Sequence, residues 1–537
     1  KLDVALYPSE TRAVTNGAYV IENRTQGSLG EVHINLSDEL EIRKLEIEGA
    51  SLQKTYEKFA YRIYRFDQPM APGEKRKVRF TTVLEQKGFK NSANNTSILH
   101  NGTFLNNITV SPMLGTHRSN FLSNPVVRRR QDLPAELRMP TLEDESAGYN
   151  SYLRPDSDWV DSDITVSTDA DQTPIAPGYV VSDVTKDGRR TVHFRSDTPI
   201  QNFYSIQSAR YAVKGDRWND IDLKVYYHPG HPFNVDLMLK VMKESMEVFE
   251  REFGPYQFRQ ARMIEFPAIA TFAQSFANTI AYSENIGFLQ DGKALAADPS
   301  LIDMVTYVTA HEIAHQWWAH QVLGADSQGS TMLSESFASY SSLLVMEKIY
   351  GPEQVRKFLN QQRDQYLQGR LFESVGEQPL YRVENQAYIH YYKGAMILYR
   401  LKTEVGADVV NGAMKRMIEL YKYKSNPYPR STDFLKILRE AAGPQHEALI
   451  TDLFEKITLY ELAAREPKVT KRTDGKFDVS FEVEAKKFHA DGKGKETEAP
   501  LTENIALGLY TEDPTKPQFS RKGVVAYELR PIRTGKQ

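Results

Sequence analysis

Alternating polar and apolar residues dominate positions 1–215. Glu31-Val-His-Ile-Asn-Leu36 and Lys77-Val-Arg-Phe-Thr-Thr-Val-Leu84 place an apolar side chain at every second position, the period of a strand with one buried face. Pro72-Gly73 supplies a turn ahead of the second run. One-sided burial predicts antiparallel sheets packed against another layer. Residues 115–165 hold no such period. Scattered Pro, Ser and Asp predict long loops there, with Arg128-Arg-Arg130 on a solvated turn. The period changes near Ile221. Met238, Met242, Met246, Phe249 and Phe253 recur every three or four positions and stop at Gly254-Pro255, which predicts an amphipathic helix whose Met and Phe stripe is core. Helices are expected to dominate 216–465. One is predicted to open at Asp298-Pro299 and run through His311 to near Leu323. The next spans Met332 to Tyr350, closed by Gly351-Pro352. Strands return after Glu466-Pro467. Phe477, Val479, Phe481 and Val483 alternate behind the turn Asp474-Gly475, and Ile505, Leu507 and Leu509 alternate later. The expected organisation is an N-terminal β domain (1–215), a mainly helical domain (216–465) and a small C-terminal β domain (466–537), a multidomain α+β chain.

Composition narrows this picture. The 537 residues are 40% hydrophobic and 26% charged, as in a water-exposed globular protein of several domains. A formal net charge of -3 argues against nucleic acid as a partner, which calls for a basic surface. Cysteine is absent, which removes disulfides, thiolate metal ligands and cysteine nucleophiles together. A chain that starts at Lys1 and ends at Arg533-Thr-Gly-Lys-Gln537 without a closing feature is expected to be part of a longer protein.

The informative chemistry is His311-Glu312-Ile313-Ala314-His315. On a helix, residues four apart share one face, so both imidazoles can address one ion. Zinc accepts nitrogen ligands tetrahedrally and, when catalytic, keeps one position for water. Glu312 lies beside the first histidine, where its carboxylate can take a proton from that water. A third ligand is required, and the candidate is Glu335 in Leu333-Ser-Glu-Ser-Phe-Ala-Ser-Tyr340, on the following helix. His320 is the rival. Five residues past His315, it lies about 140° round a helix and points elsewhere.

His311-Glu-Ile-Ala-His-Gln-Trp-Trp318 followed by Leu-Ser-Glu-Ser-Phe-Ala-Ser-Tyr340 resembles the aminopeptidase N family of zinc metallopeptidases, which includes leukotriene hydrolase. Nineteen residues separate His315 from Glu335 where the family usually has eighteen, consistent with a one-residue insertion. The family's Gly-x-Met-Glu-Asn motif has a counterpart in Ala281-Tyr-Ser-Glu284-Asn285, with Gly and Met replaced but Glu-Asn-x-Gly287 kept. Tyr391-Tyr392-Lys393-Gly394 matches its Tyr-x-Lys-Gly. The resemblance implies one zinc per chain on His311, His315 and Glu335. It implies Glu312 as base, and Tyr391 as donor to the oxyanion. Glu284, with Asn285 beside it, would bind the free α-amine of a peptide substrate. The fold it implies is a β saddle, a thermolysin-like catalytic domain and a sandwich-like C-terminal β domain. His315-Gln-Trp-Trp-Ala-His-Gln321, Gly324-Ala-Asp326 and Gln328-Gly329 are similar to a bacterial subgroup often joined to an ABC-transporter-type permease. That implies a linked permease and a periplasmic or outward-facing region, with a cytoplasmic one not excluded. The alternative the resemblance leaves is a non-catalytic peptide-binding module of such a transporter-linked protein. Residues 90–165 match no usual family pattern.

Overall fold

The computed structural model describes all residues except 87–96, 117–120, 136–137, 292–300, 515, 517–518 and 520. The chain forms two compact units. The first is built on Lys1–Lys293, Asp303–Ser327 and Ile418–Pro429, and the second on Gln328–Met417 and Arg430–Gln537.

In the first unit a seven-stranded sheet runs in the order Tyr179–Lys186, Arg189–Arg195, Asp163–Asp169, Leu2–Tyr7, Arg12–Glu22, Lys75–Glu85, Leu40–Ile47. Pairing is antiparallel except between Leu2–Tyr7 and Asp163–Asp169, where Leu2 faces Ile164 in parallel register. The long intervening chain allows this, since parallel neighbours need an extended crossover. Leu29–Asn35 and Lys75–Glu85 are the two strands expected from alternation. The arginine run departs from expectation. Pro125–Arg130 is a short helix, and Arg128 is buried, donating to the carbonyls of Pro134 and Leu122. A guanidinium with several fixed donors can close a loop from inside, so Arg128 is structural, whereas Arg129 and Arg130 are exposed as expected.

A second sheet of the first unit carries the candidate site. Its order is Ala212–Trp218, Ile221–Tyr227, Gln260–Phe266, Thr279–Ser283, Ala273–Phe276, and its three middle strands are parallel neighbours. The helix Val235–Phe253 is the crossover between Ile221–Tyr227 and Gln260–Phe266. The Met and Phe stripe on it is buried, as its spacing predicted. Residues 216–290 are thus richer in strand than expected. Six of the seven residues of Gln260–Phe266 and all of Thr279–Ser283 are buried. A strand covered on both faces shows no alternation, and period alone does not reveal it.

The histidine helix is shorter than expected. It spans Met304–Ala314 and is capped by Asp303, whose carboxylate accepts from the Thr306 amide at 3.0 Å. The expected opening at Asp298-Pro299 lies outside the described residues. The helix stops before Leu323 because Trp317 and Trp318 turn inward. Trp317 packs on Phe249 at 5.5 Å and Trp318 on Phe253 at 5.0 Å between ring centroids, and Ala319 takes a φ of 129° that no helix accommodates.

The second unit opens with helices. A π-helical turn, Met332–Ser336, leads into Phe337–Tyr350, which Gly351 ends, and Pro352–Leu371 follows. A second π turn, Tyr388–Lys393, leads into Gly394–Val405, and a third is Thr451–Glu455. Strands return earlier than expected. Ile457–Lys471 passes through Pro467 without ending. The proline is tolerated because the register shifts between Arg465 and Lys468 and Glu466 adopts a φ of 47°, a bulge where the missing N–H costs no ladder bond. A four-stranded sheet and the hairpin Thr502–Tyr510/Val524–Arg533 share a small core of Val483, Ala485, Leu501 and Ile532. The stripe from Phe477 to Val483 is buried only at its inner end, and Phe477 is exposed.

Candidate metal and peptide site

Spacing alone places His311 and His315 on one helix face, and their Nε2 atoms lie 3.0 Å apart. Nδ1 of His315 is 2.8 Å from the Trp318 carbonyl. A carbonyl only accepts, so Nδ1 carries the proton and Nε2 presents its lone pair, the tautomer a metal ligand needs. Glu312 is buried beside them. Its own carbonyl accepts from Ser275 Oγ at 2.9 Å, and the Gln316 amide donates to Ser275 Oγ and to the Phe276 carbonyl. These bonds tie the end of the helix to the strand Ala273–Phe276, so the ring orientations rest on sheet as well as on helix.

His320 has a different task. Its Nε2–H donates to the Ser275 carbonyl at 3.1 Å, and the ring is fully buried. Burial lowers its pKa to about 4, and the hydrogen bond to Ser275 opposes the shift only in part. A neutral imidazole fixed in this way completes the polar network behind the ligand pair.

In the second unit Glu335 stands in the π turn Met332–Ser336. Turns of this kind widen a helix by one residue and recur at functional sites. Its neighbour Ser336 donates through Oγ to the His390 carbonyl at 2.6 Å, which joins the turn of Glu335 to that of Tyr391. Gly394 permits the approach. A Cβ there would lie 2.1 Å from Ser336 Oγ. Lys393 of the same motif is buried, with its ammonium 3.0 Å from Glu377 Oε1 and 3.1 Å from the Tyr366 hydroxyl, and Arg370 binds the other Glu377 oxygen at 2.7 Å. Burial lowers the Lys393 pKa, while Glu377 opposes the shift. Glu377, Tyr366 and Arg370 went unnoticed in the sequence because ordinary helix-and-loop positions carry no signal for a buried ion pair.

His311 and His315 belong to the first unit and Glu335 to the second. Two imidazole nitrogens and a carboxylate form the donor set of catalytic zinc sites, with ligand bonds of about 2.0–2.2 Å. The imidazole pair excludes His320, in line with its position round the helix.

Glu284 follows the strand Thr279–Ser283. Its Oε1 accepts from the Ala268 amide at 2.9 Å, and its Oε2 is 3.9 Å from His231 Nδ1. Asn285 is exposed, and its carbonyl accepts from the Gln290 amide at 2.6 Å. Gly287 is needed because a Cβ would strike the Tyr282 ring at 2.2 Å. His231 and Glu265, which stand beside Glu284, were not anticipated. The available signal was a charged residue inside the apolar run Met263-Ile-Glu-Phe266.

A peptidase family M1 domain model matches residues 237–456, the stretch that holds the helix His311–His315, Glu335 and Tyr391. Aminopeptidase M1 of Arabidopsis thaliana is 25% identical over 349 residues, 63% of this chain and 37% of the relative. Probable aminopeptidase 2 of Sulfurisphaera tokodaii is 24% identical over 355 residues, 63% of this chain and 42% of the relative. The chain thus spans about two fifths of the length of these curated relatives. Among solved structures, an M1 zinc metallopeptidase from Deinococcus radiodurans superposes with a TM-score of 0.58 at 16% identity, covering 84% of this chain and 92% of that one. A second structure of it holds a Tyr-Ser-Ala substrate, at 15% identity and a TM-score of 0.58. The M1 fold, with an N-terminal β-rich part, a helical middle and a C-terminal β part, is therefore the fold of this chain.

Proposed function

We propose that this chain belongs to peptidase family M1 and is a zinc-dependent aminopeptidase that removes N-terminal residues from peptides. The observation that carries the reading is the pairing of His311 and His315 at one helix end, their Nε2 atoms 3.0 Å apart, with Glu312 between them in sequence. His311, His315 and Glu335 would hold one zinc. Bound there, zinc supplies a Lewis acid for the scissile carbonyl and lowers the pKa of the attacking water. Glu284, with Asn285 beside it, receives the substrate's α-ammonium through a charge-assisted hydrogen bond and so fixes the peptide's register. Glu312 takes the proton of the attacking water and returns it to the leaving amine. Tyr391 donates to the oxyanion.

Zinc content, and hydrolysis of free and N-acetylated aminoacyl chromogenic substrates with and without a chelator, test the reading. Chelator-sensitive cleavage of the free substrates alone is expected. Equal cleavage of blocked substrates would make the chain an endopeptidase. Bound zinc with no cleavage of either set would favour a peptide-binding module, whose support is the replacement of Gly and Met before Glu284. Glu312→Gln is expected to keep the zinc and lower turnover by about 10²–10⁴-fold, the usual range for losing a general base.

The pattern from Trp317 through Gly324-Ala-Asp326 to Gln328-Gly329 supports placement in the bacterial permease-linked subgroup, as a periplasmic or outward-facing region. None of the described helices is long and apolar enough to cross a membrane, so a permease would have to be carried elsewhere. Protease accessibility in spheroplasts against intact cells tests the location, and protection in both would exclude an outward face.

A further inference from the structure

Next to Glu284 lies a group the proposed chemistry does not use. His231, Glu265 and Glu284 each bring one donor atom within 4.8 Å of the others. Glu265 is buried on the strand Gln260–Phe266, and both its oxygens are taken. Oε1 is 2.5 Å from His231 Nδ1, and Oε2 accepts the His228 amide at 2.5 Å. Its backbone carbonyl accepts from the Tyr211 hydroxyl at 3.1 Å. The ring of His228 stacks against that of His231 with centroids 4.8 Å apart. His231 and Glu284 are each about a fifth exposed, at 22% and 23%, so solvent and ligands reach them while Glu265 stays inside.

Two readings compete, a second metal site and a hydrogen-bonded pair. Tetrahedral ligands at zinc bond lengths stand about 3.3 Å from one another. The 2.5 Å between His231 and Glu265 is shorter than that and is a hydrogen-bond distance. The hydrogen bond to Glu265 fixes the His231 ring, and its Nδ1 then stands 3.9 Å from Oε2 of Glu284.

We propose that His231, held by Glu265, is a positioning residue that keeps the Glu284 carboxylate oriented toward the α-ammonium of a peptide. The inference rests on the aminopeptidase reading and adds two residues to it. His231 acts through Glu284. It lies alongside Oε2 at 3.9 Å while Oε1 is fixed by the Ala268 amide, so the ring limits how far the carboxylate turns. Glu265 sets the ring's orientation from below.

Steady-state kinetics of the 537-residue chain on leucine, alanine and arginine p-nitroanilides test this. His231→Ala is expected to raise KM about tenfold while kcat changes less than about threefold, because ground-state docking of the amine is what it loses. His231→Asn, whose side-chain N–H falls close to the lost Nδ1–H, should restore most of the KM. Glu265→Gln should fall between the two. The melting temperature and zinc content of His231→Asn should match the parent. An unchanged KM in His231→Ala, with a parent enzyme that turns over, overturns the inference and leaves the aminopeptidase reading standing. So does a parent chain that binds a second zinc which His231→Ala loses, since the cluster is then a metal site. A parent that cleaves no free-amine substrate overturns the reading itself, and this inference with it.

Discussion

A single neutral histidine shows how much of the site is support. His320 is buried with Nε2–H bonded to Ser275, and its pKa is lowered to about 4 against an ordinary 6.5. The folded protein therefore disfavours its charged form. Stability from this residue is complete above pH 6.5 and is lost as pH falls toward 4, because the unfolded chain takes up the proton first. The shift corresponds to on the order of 3 kcal/mol. His320→Gln keeps an N–H for Ser275 and cannot titrate. Its stability, followed by thermal melting between pH 7 and pH 4, is expected to fall less steeply with acid than the parent's by about that amount. Parallel curves would mean that the imidazole is not the group responsible. The pairing of His311 and His315, with Glu312 between them in sequence, was legible at this scale, since four-residue spacing on a helix is geometry the sequence states outright. His231 and Glu265 were not. One lies in a loop and the other in a buried strand, 34 residues apart, and only the sheet brings them together.

Among elements, the wide turns matter most. Glu335 and Tyr391 stand in separate π turns joined by Ser336 and His390, and Gly394 makes the join possible. Gly394→Ala would drive a methyl group to 2.1 Å of Ser336 Oγ and 2.6 Å of its Cβ. The turns must then part, at a cost of about 1–3 kcal/mol typical of overpacking. A lower melting temperature and easier loss of zinc to a chelator are expected together. Lower stability with unchanged metal affinity would confine the glycine's role to packing. Sequence patterns gave the helix from Met332 to Tyr350 and its stop at Gly351, but not the π turn that begins it. Widening a helix by one residue leaves its apolar period nearly intact, so periodicity does not register it. The strands at 260–266 and 279–283 escaped for the opposite reason. Burial on both faces erased the alternation by which the strands at 29–35 and 75–85 were recognised.

Over the whole molecule, charged groups buried within a unit fix its parts. In the second unit Lys487 reaches from the C-terminal sheet to Asp452 at 2.7 Å and Glu503 at 2.9 Å, with all three side chains no more than a tenth exposed. Lys487→Ala removes the cation the two carboxylates share, leaving Lys456 at Asp452 and Arg400 and Tyr460 at Glu503, and is expected to cost about 1.5–3 kcal/mol, measured as loss of the folded signal in urea. A change below about 1 kcal/mol would mean water reaches the site in the parent. The first unit is assembled differently. Its main body ends by Ser327, yet Ile418–Pro429 belongs to it. Tyr428 donates to Asp158 at 3.0 Å, the Ala325 amide donates to the Pro429 carbonyl at 2.9 Å, and the Tyr423 amide donates to the Gln321 carbonyl at 2.9 Å. A fragment ending at Ser327 is therefore expected to be cut readily by protease near Gln321, where the longer chain resists. Equal resistance would show that the returning segment is dispensable. During synthesis, the histidine helix leaves the ribosome long before the segment that completes its own unit. The first unit can close only after residue 429, so the stretch 328–417 of the second unit must be made before the part begun first is finished.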